Sequence, residues 1–409
     1  MSAKMHRLAN GLTVAVDPLP GAQSAAIGLY AMVGSRSEPP RLSGIAHLLE
    51  HMVFKGAGGR DARAIAEAIE DVGGSLNAWT ARDQTVFHSR VMPADAELAL
   101  ELIAALVRRP TLDAEELELE KKVVLSEIGE SRDAPDDLIH DHLFAAAFPN
   151  LPIGRPILGS EESLAAISRE DCVAWLEREF RPERLIVAAG GKVEPDAILR
   201  IAERLFGDMP AIEPPPVEPA RFAGGERIDR RRFEQAHWAF ALPGLPSADP
   251  RAPALAIFTQ AVGGGMSSRL FQQLREERGL AYSIYAWSQG FADTGLFAVN
   301  GATDRGKAAE ALKLARDIVA RAADDLSDAE VARARAQLEA ALLMGMETPQ
   351  GRADQMARSI EVFGHILPLE DLLAELRTVD APSARAAGRC LLEGPSALAS
   401  IGAGLALAA

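Results

Sequence analysis

The stretch GDMPAIEPPPVEPARFAGGE, residues 207 to 226, constrains this chain more than any other feature. Its five prolines, Pro210, Pro214, Pro215, Pro216 and Pro219, each fix φ and remove a backbone donor. Such a segment forms neither a helix nor the interior of a sheet, and is expected to run as an extended linker. On each side lies a length of about 200 residues, the size of one domain. The two halves share a layout. TVFHSRVMPADAELALELIAALVRRP reads as strand, turn and amphipathic helix, and GLFAVNGATDRGKAAEALKLARDIVARAA repeats that order. LDAEELELEKKVVLSEI (112 to 128) is echoed by LSDAEVARARAQLEAAL (326 to 342), where Ser327 and Glu330 form a capping box.

These halves predict an internal duplication of one α+β unit, with a period far longer than that of solenoid repeats. LIVAAGG (185 to 191) reads as a strand ended by glycines, and SREDCVAWLEREF (168 to 180) as a helix capped by Ser168. The expected fold is α+β, with two duplicated domains, each an antiparallel sheet with helices packed on one face. The boundaries fall at 1–210 for the first domain, 211–226 for the linker and 227–409 for the second domain.

Composition excludes several classes. A formal net charge of -15 at pH 7 repels phosphates, which argues against a nucleic-acid partner. No apolar run approaches the roughly 20 residues needed to span a bilayer, so no membrane partner is expected. The start, MSAKMHRLANGLTVAVDPLP, lacks an apolar signal region, and LTVAVDP is expected to be a first strand. Cys172 and Cys390 have neither a CxxC partner nor a neighbouring histidine. Both are expected to be reduced, which points to the cytoplasm.

The chemistry centres on His47-Leu-Leu-Glu50-His51 within SGIAHLLEHMVFKG. Ser43 is the expected N-cap, and Ile45, Leu48, Leu49, Met52 and Val53 make an apolar stripe. Histidines at i and i+4 stand one turn apart on one helix face, so both imidazoles reach one ion at about 2.0–2.1 Å. Glu50 borders the same face and reaches a water at the metal without being a ligand. A catalytic zinc needs a third protein ligand and an open position. The helix DAEELELEKKVVLSEIGES offers Glu127, with Glu120 two turns earlier on the same side as a hydrogen-bond acceptor for a ligating histidine. Spacing alone does not separate Glu127 from the other glutamates of that helix.

Taken together, these words resemble the inverted-motif zinc peptidases that include pitrilysin, insulin-degrading enzyme and mitochondrial processing peptidase. HxxEH is followed by 75 residues and then Glu127 in the context EKKVVLSEI. GGSLNAWTARDQTVFH, PIGRPILGSEESL and VGGGMSSRLFQQLREERGLAYSIY extend the likeness through both halves, closest to the bacterial processing-peptidase branch. The resemblance implies one Zn2+ per chain on His47, His51 and Glu127, with Glu50 as the base. It also implies that residues 73 to 80 form an edge strand to which substrate adds, using Asn77, Ala78 and Thr80. Arg275 and Tyr282, seven residues apart, match an Arg and Tyr pair that holds the substrate backbone, with Tyr282 also a donor to the oxyanion. Asp137 and Asp141 stand ten and fourteen positions after Glu127, where family members that cut near arginine carry acidic residues. His140 and His142 are expected to be non-ligands.

The second copy lacks the metal motif. Aligning Asp113 with Asp328 puts Leu342 opposite Glu127, and no histidine occurs between His237 and His365. The expected protein is a zinc endopeptidase cutting short or unfolded peptides inside a chamber formed by paired chains, either a homodimer or a heterodimer with a related chain. Two alternatives stay open: a non-catalytic scaffold of the same family, and a subunit that binds peptides without cutting them.

Overall fold

The computed structural model describes residues 3–407. It divides into two compact units. The first comprises residues 1–128, 156–218 and 343–367, and the second residues 129–155, 219–342 and 368–409.

The first unit is built on a six-stranded sheet. In spatial order its strands are Lys4–Arg7, Thr13–Pro18, Leu185–Gly191, Ala25–Ala31, Thr85–Val91 and Ser75–Thr80. Every pairing is antiparallel except that of Thr13–Pro18 with Leu185–Gly191. The second unit repeats the arrangement with five strands: Gly225–Asp229, Ala397–Ile401, Ala236–Pro243, Gly295–Thr303 and Ala281–Gly290. Its one parallel pair, Ala397–Ile401 with Gly225–Asp229, occupies the equivalent place. The duplication therefore extends to strand order and to the sense of each pairing. The edge strand Ser75–Thr80 has Ala281–Gly290 as its counterpart.

Alternation along the strands explains the cores. In the first sheet Val14, Val16, Ile27, Leu29, Phe87, Val187 and Ala189 face one way, into a core shared with helices Ile45–Val53, Ala96–Arg108 and Pro195–Phe206. The residues between them, Ala15, Tyr30, Val86, Ile186 and Ala188, face the other way onto Ala353, Met356, Ala357 and Ile360. Those four lie on one stripe of helix Pro349–Phe363, which the chain supplies from its second half. The second sheet is covered in the same manner. Its opposite face, rich in Ala239, Ala241, Ala298, Ala397 and Ala399, packs against Leu143, Phe144 and Phe148 of the helix Pro135–Ala147 and its end. Each half of the sequence thus gives one helix to the other unit's sheet. The expectation of α+β units with helices on one face holds for the main layer; the exchanged helix on the second face was not expected.

Polar contacts pin the exchanged helix to the first sheet. Tyr30 Oη donates to Asp354 Oδ1 at 2.6 Å, and Arg352 pairs with Asp17 at 2.7 Å. Gly190 and Gly191, the glycines that end LIVAAGG, permit the close approach. A Cβ on Gly190 would run into the Pro349 carbonyl, and Gly191 has φ of +100°.

The linker is without regular structure from Pro210 to Gly224. Ser168 caps Arg169–Glu179, as expected, and the structure adds a reciprocal box with Asp171. Both cysteines are free. Among the described residues, no helix is long and apolar enough to cross a membrane.

Helix Asp328–Gly345 starts with the expected box, Ser327 N–H donating to Glu330 at 2.9 Å. Glu330 also receives Arg269 at 2.5 and 2.8 Å, while Arg269 bonds Asp325 as well. The Arg269 guanidinium, helped by the Ser327 bonds, holds the Glu330 carboxyl down to about 2. A carboxyl lowered from 4.5 stabilises the fold above that value and loses its contribution as pH falls through about 2. Glu330→Gln should therefore lower Tm at pH 7, with the gap to the parent closing between about pH 4.5 and pH 2. Thermal melts across that range check it.

Candidate active site

Helix Ile45–Val53 buries Ile45, Ala46, Leu48, Leu49, Met52 and Val53 in the first core. The stripe left over carries His47, Glu50 and His51, at i, i+3 and i+4. The start of this helix departs from expectation. Ser43 is not its cap. The N-cap is Gly44, at φ of +94°, and no side chain of the cap residue takes part. Instead the buried Glu38 accepts from Gly44 N–H at 2.8 Å and from Ala46 N–H at 2.9 Å. A carboxylate on the first turn satisfies two orphan donors and complements the helix dipole. Gly44 is also held by packing, since a Cβ there would meet the Leu158 carbonyl oxygen at 2.6 Å. Ser163 Oγ donates to the Ser43 carbonyl at 2.7 Å. The segment PILGSEESL thus fixes where the motif helix begins.

Helix Ala114–Asp133 brings Glu127 to the two histidines. Glu127 Oε2 lies 3.8 Å from His47 Nε2, and Oε1 lies 3.7 Å from His51 Nε2. One ligand atom from each of the three side chains lies within 4.8 Å of the others. Tetrahedral bonds of about 2.0–2.1 Å put ligand atoms about 3.3–3.4 Å apart, so the three side chains would close in on the ion to hold zinc.

The surroundings suit that role. Glu120, buried in the same helix, faces His51 Nδ1 at 3.0 Å and Lys55 Nζ at 2.5 Å. Burial alone would raise the Glu120 carboxyl, but the hydrogen bonds from Lys55 and His51 outweigh it and hold it below its ordinary value. An ionised Glu120 only accepts, so Nδ1 carries the proton and Nε2 keeps its lone pair for a metal. Burial, together with the neighbouring His51 ring 4.7 Å away, lowers His47 to about 4. That histidine is neutral at pH 7, as a ligand must be. Its buried Nδ1 has no hydrogen-bond partner.

Glu50 is raised, chiefly by burial and further by the charge of Glu127, with Thr80 and His51 opposing. Thr80 Oγ1 donates to Glu50 Oε2 at 2.5 Å. This contact orients the carboxylate and leaves its other oxygen free. Thr80→Val removes a hydrogen bond to a charged group, worth about 1.5–3 kcal/mol, so turnover should fall roughly ten-fold or more. The Glu50 carboxyl should rise further, moving the acid limb of the pH–rate profile to higher pH. A kcat profile between pH 5 and pH 8 measures both effects.

Ser75–Thr80 is a free edge of the first sheet. Ala81 N–H donates inward to the Gln84 carbonyl at 2.8 Å. Backbone direction alternates, so Trp79 and Asn77 also face the ladder while Thr80, Ala78 and Leu76 face outward. The outward N–H of Ala78 is covered by Asn77 Oδ1 at 2.9 Å. An unpaired edge invites pairing with other chains, and Asn77 covers one of its donors.

In the second unit the structure brings Arg275 and Tyr282 together. Arg275 lies in the π-helical turn Phe271–Glu276, with its guanidinium 4.9 Å from the Phe271 ring and 5.7 Å from the Tyr282 ring. Tyr282 sits where the pairing of Ala281–Gly290 slips between Ala281 and Ser283, and is 72% exposed. A bulge of this kind re-aims a side chain. Spacing alone would have made Tyr282 a core residue. Asp137 and Asp141 are one turn apart on helix Pro135–Ala147, the first exposed and the second half-buried. Tyr285 and Trp287 engage His140, at 3.2 Å and a ring separation of 5.6 Å, and His142 lies outside the metal cluster.

A family model described as Insulinase (Peptidase family M16) matches residues 13–161, and one described as Peptidase M16 inactive domain matches residues 166–338. The chain belongs to peptidase family M16. It is 35% identical to an uncharacterized zinc protease of Streptomyces coelicolor, over 97% of this chain and 88% of the relative. An uncharacterized zinc protease of Bacillus subtilis is 31% identical over 97% of this chain and 98% of its own length. Two solved structures share the M16 fold. A protease from Helicobacter pylori superposes with a TM-score of 0.88 at 19% identity, covering 98% of this chain and 99% of that one. A peptidase M16 inactive domain from Pseudomonas fluorescens gives 0.90 at 22%, covering 100% and 99%. At such identities the likeness concerns the fold alone.

The M16 halves differ at the metal position. Asp113 caps its helix by accepting from Glu115 and Glu116 N–H, as Ser327 does from Glu330 N–H. Matching the two caps puts Ala341 opposite Glu127, one residue before the Leu342 that sequence alignment picks. Either way the second copy has an apolar residue there.

Sequence reasoning missed Glu38 and Lys55 and the bond from Thr80 to Glu50. Lys55 stands one turn after His51, on the histidine's own face, and that spacing was the available signal. Glu38 precedes its helix by too many residues to fit a capping box.

Proposed function

We propose that this M16 chain is a zinc-dependent endopeptidase hydrolysing short or unfolded peptides, with one Zn2+ held by His47, His51 and Glu127. The observation that carries the reading is the meeting of these three side chains beside Glu50, whose carboxylate Thr80 holds in place. When bound, zinc supplies Lewis acidity, polarising the scissile carbonyl and making water a better acid. Glu50 accepts the proton of the attacking water and returns it to the leaving amine. Glu120 keeps His51 in its ligating tautomer. The outward backbone groups of Leu76, Ala78 and Thr80 hold substrate as an added strand once Asn77 releases the Ala78 N–H. Arg275 and Tyr282 bind the substrate backbone, and Tyr282 donates to the developing oxyanion. Asp137 and Asp141 pair with a basic substrate side chain. The chains pair, as a homodimer or with a related chain, to enclose a chamber, and act in the cytoplasm, which suits two free cysteines.

The test is a quenched-fluorescent peptide library incubated with purified protein, with and without chelator, and with cut sites read by mass spectrometry. Internal cuts that stop with chelator are expected, enriched near Arg or Lys; Asp137→Asn with Asp141→Asn should erase that enrichment. A scaffold or a peptide-binding subunit is the second reading. It draws on the description of the matched inactive domain, which spans residues 166–338 and not the motif half. Peptide binding without cleavage in the same assay would favour it.

A further inference from the structure

Beside the start of the edge strand lies an open groove of about 400 Å³. Helix Ala62–Glu70 forms one side with Ile65, Ala66 and Ile69, and Leu76 of the strand forms the other. Lys55 and Glu70 stand at its rim. Lys55 is engaged by Glu120 at 2.5 Å, so the charge left at the mouth is the Glu70 carboxylate. Apolar side chains predominate in its walls, and apart from Lys55 and Leu76 its lining residues have no part in the site described above.

Strand geometry relates the groove to the catalytic residues. Leu76, Ala78 and Thr80 point their backbone groups outward, and by the period of two their side chains share one face. That face is the helix layer: Ala78 is in the core, Leu76 packs against it, and Thr80 bonds Glu50. In a strand added to this edge, each residue opposite one of these three points its side chain to the same face. The residue opposite Thr80 lies at Glu50. The residue opposite Leu76 would be four positions away, about 13 Å at roughly 3.3 Å per residue, on the face where Leu76 lines the groove.

We propose that the groove formed by Ile65, Ala66, Ile69 and Leu76 is a specificity subsite for a large apolar substrate side chain, three to five residues from the scissile bond. The inference rests on the peptidase reading and on strand addition at Ser75–Thr80. Leucine, methionine and phenylalanine are accepted because they remove apolar wall from water. Aspartate is rejected because it would lose its hydration beside Glu70.

The test uses zinc-loaded full-length protein and peptides that differ at one position. Leu, Phe, Gly or Asp is placed in turn three, four and five residues from the cut, on each side. At one position Leu and Phe should exceed Gly and Asp in kcat/KM by about ten-fold or more, mostly through KM. Ala66→Phe, which fills the groove from an exposed position, should bring the Leu/Gly ratio towards one. Glu70→Lys should raise Asp relative to Leu several-fold; it tests the mouth independently if Ala66→Phe does not fold. Zinc-dependent cleavage with a flat profile at every position overturns the subsite while leaving the peptidase reading intact, as does a folded Ala66→Phe with an unchanged ratio. Absence of chelator-sensitive cleavage for every peptide overturns the peptidase reading itself, and the subsite with it.

Discussion

Glu50→Gln should abolish turnover while leaving metal binding and folding intact. The substitution keeps the shape of the side chain and its acceptance of the Thr80 hydroxyl, and removes only its ability to take a proton. A positioned general base contributes about 10²–10⁴-fold, so kcat should fall by at least that range's lower end and approach the detection limit. Zinc content should stay near the parental value, because Glu50 is not among the three side chains whose atoms converge. Stability should hold or rise slightly, since the burial that raises the Glu50 carboxyl no longer acts on a charge. Parallel measurement of kcat, zinc content and Tm separates these effects. Retained activity would remove Glu50 from the mechanism.

The second large effect is expected at the metal. Glu127→Ala removes one of the three proposed ligands and should lose zinc and activity together. Glu120→Gln touches no ligand atom directly, yet it should weaken zinc by about 10–100-fold. Its carboxylate fixes the His51 tautomer through a 3.0 Å contact and is itself held by Lys55. An amide at 120 can present its NH2 to Nδ1, which favours the tautomer protonated on Nε2 and sets the lone pair away from the metal. Competition with a chromophoric chelator gives both affinities. If Glu120→Gln bound zinc as tightly as the parent, the role of Glu120 would be confined to its ion pair with Lys55.

How much of this was legible beforehand differs by residue. The motif helix, its apolar stripe and the i, i+3, i+4 arrangement of His47, Glu50 and His51 followed from local periodicity, and LIVAAGG proved a strand over Leu185–Gly191. The cap at Ser168 and the box at Ser327 are signals carried within four consecutive residues and were legible for that reason. Glu127 was not legible from its surroundings, because its helix is rich in glutamate; only the family likeness singled it out, and the 3.7 and 3.8 Å approaches to the histidines now give it a geometric basis. The exchange of helices Pro135–Ala147 and Pro349–Phe363 left no local mark. Each has an ordinary amphipathic pattern, and which sheet it covers is decided by distant alanines and glycines such as Gly190. Glu38 was hidden in the same way, since its partners Gly44 and Ala46 lie across a turn whose path the sequence does not specify.

The measurement that bears most directly on the central claim is a zinc titration of metal-free protein, with peptide cleavage followed at each addition. The account predicts no cleavage without metal and a rate that rises linearly to a plateau at about one zinc per chain, matching the cluster of His47, His51 and Glu127. Cleavage that persists in metal-free protein, or full zinc occupancy with no cleavage of any peptide, would contradict it.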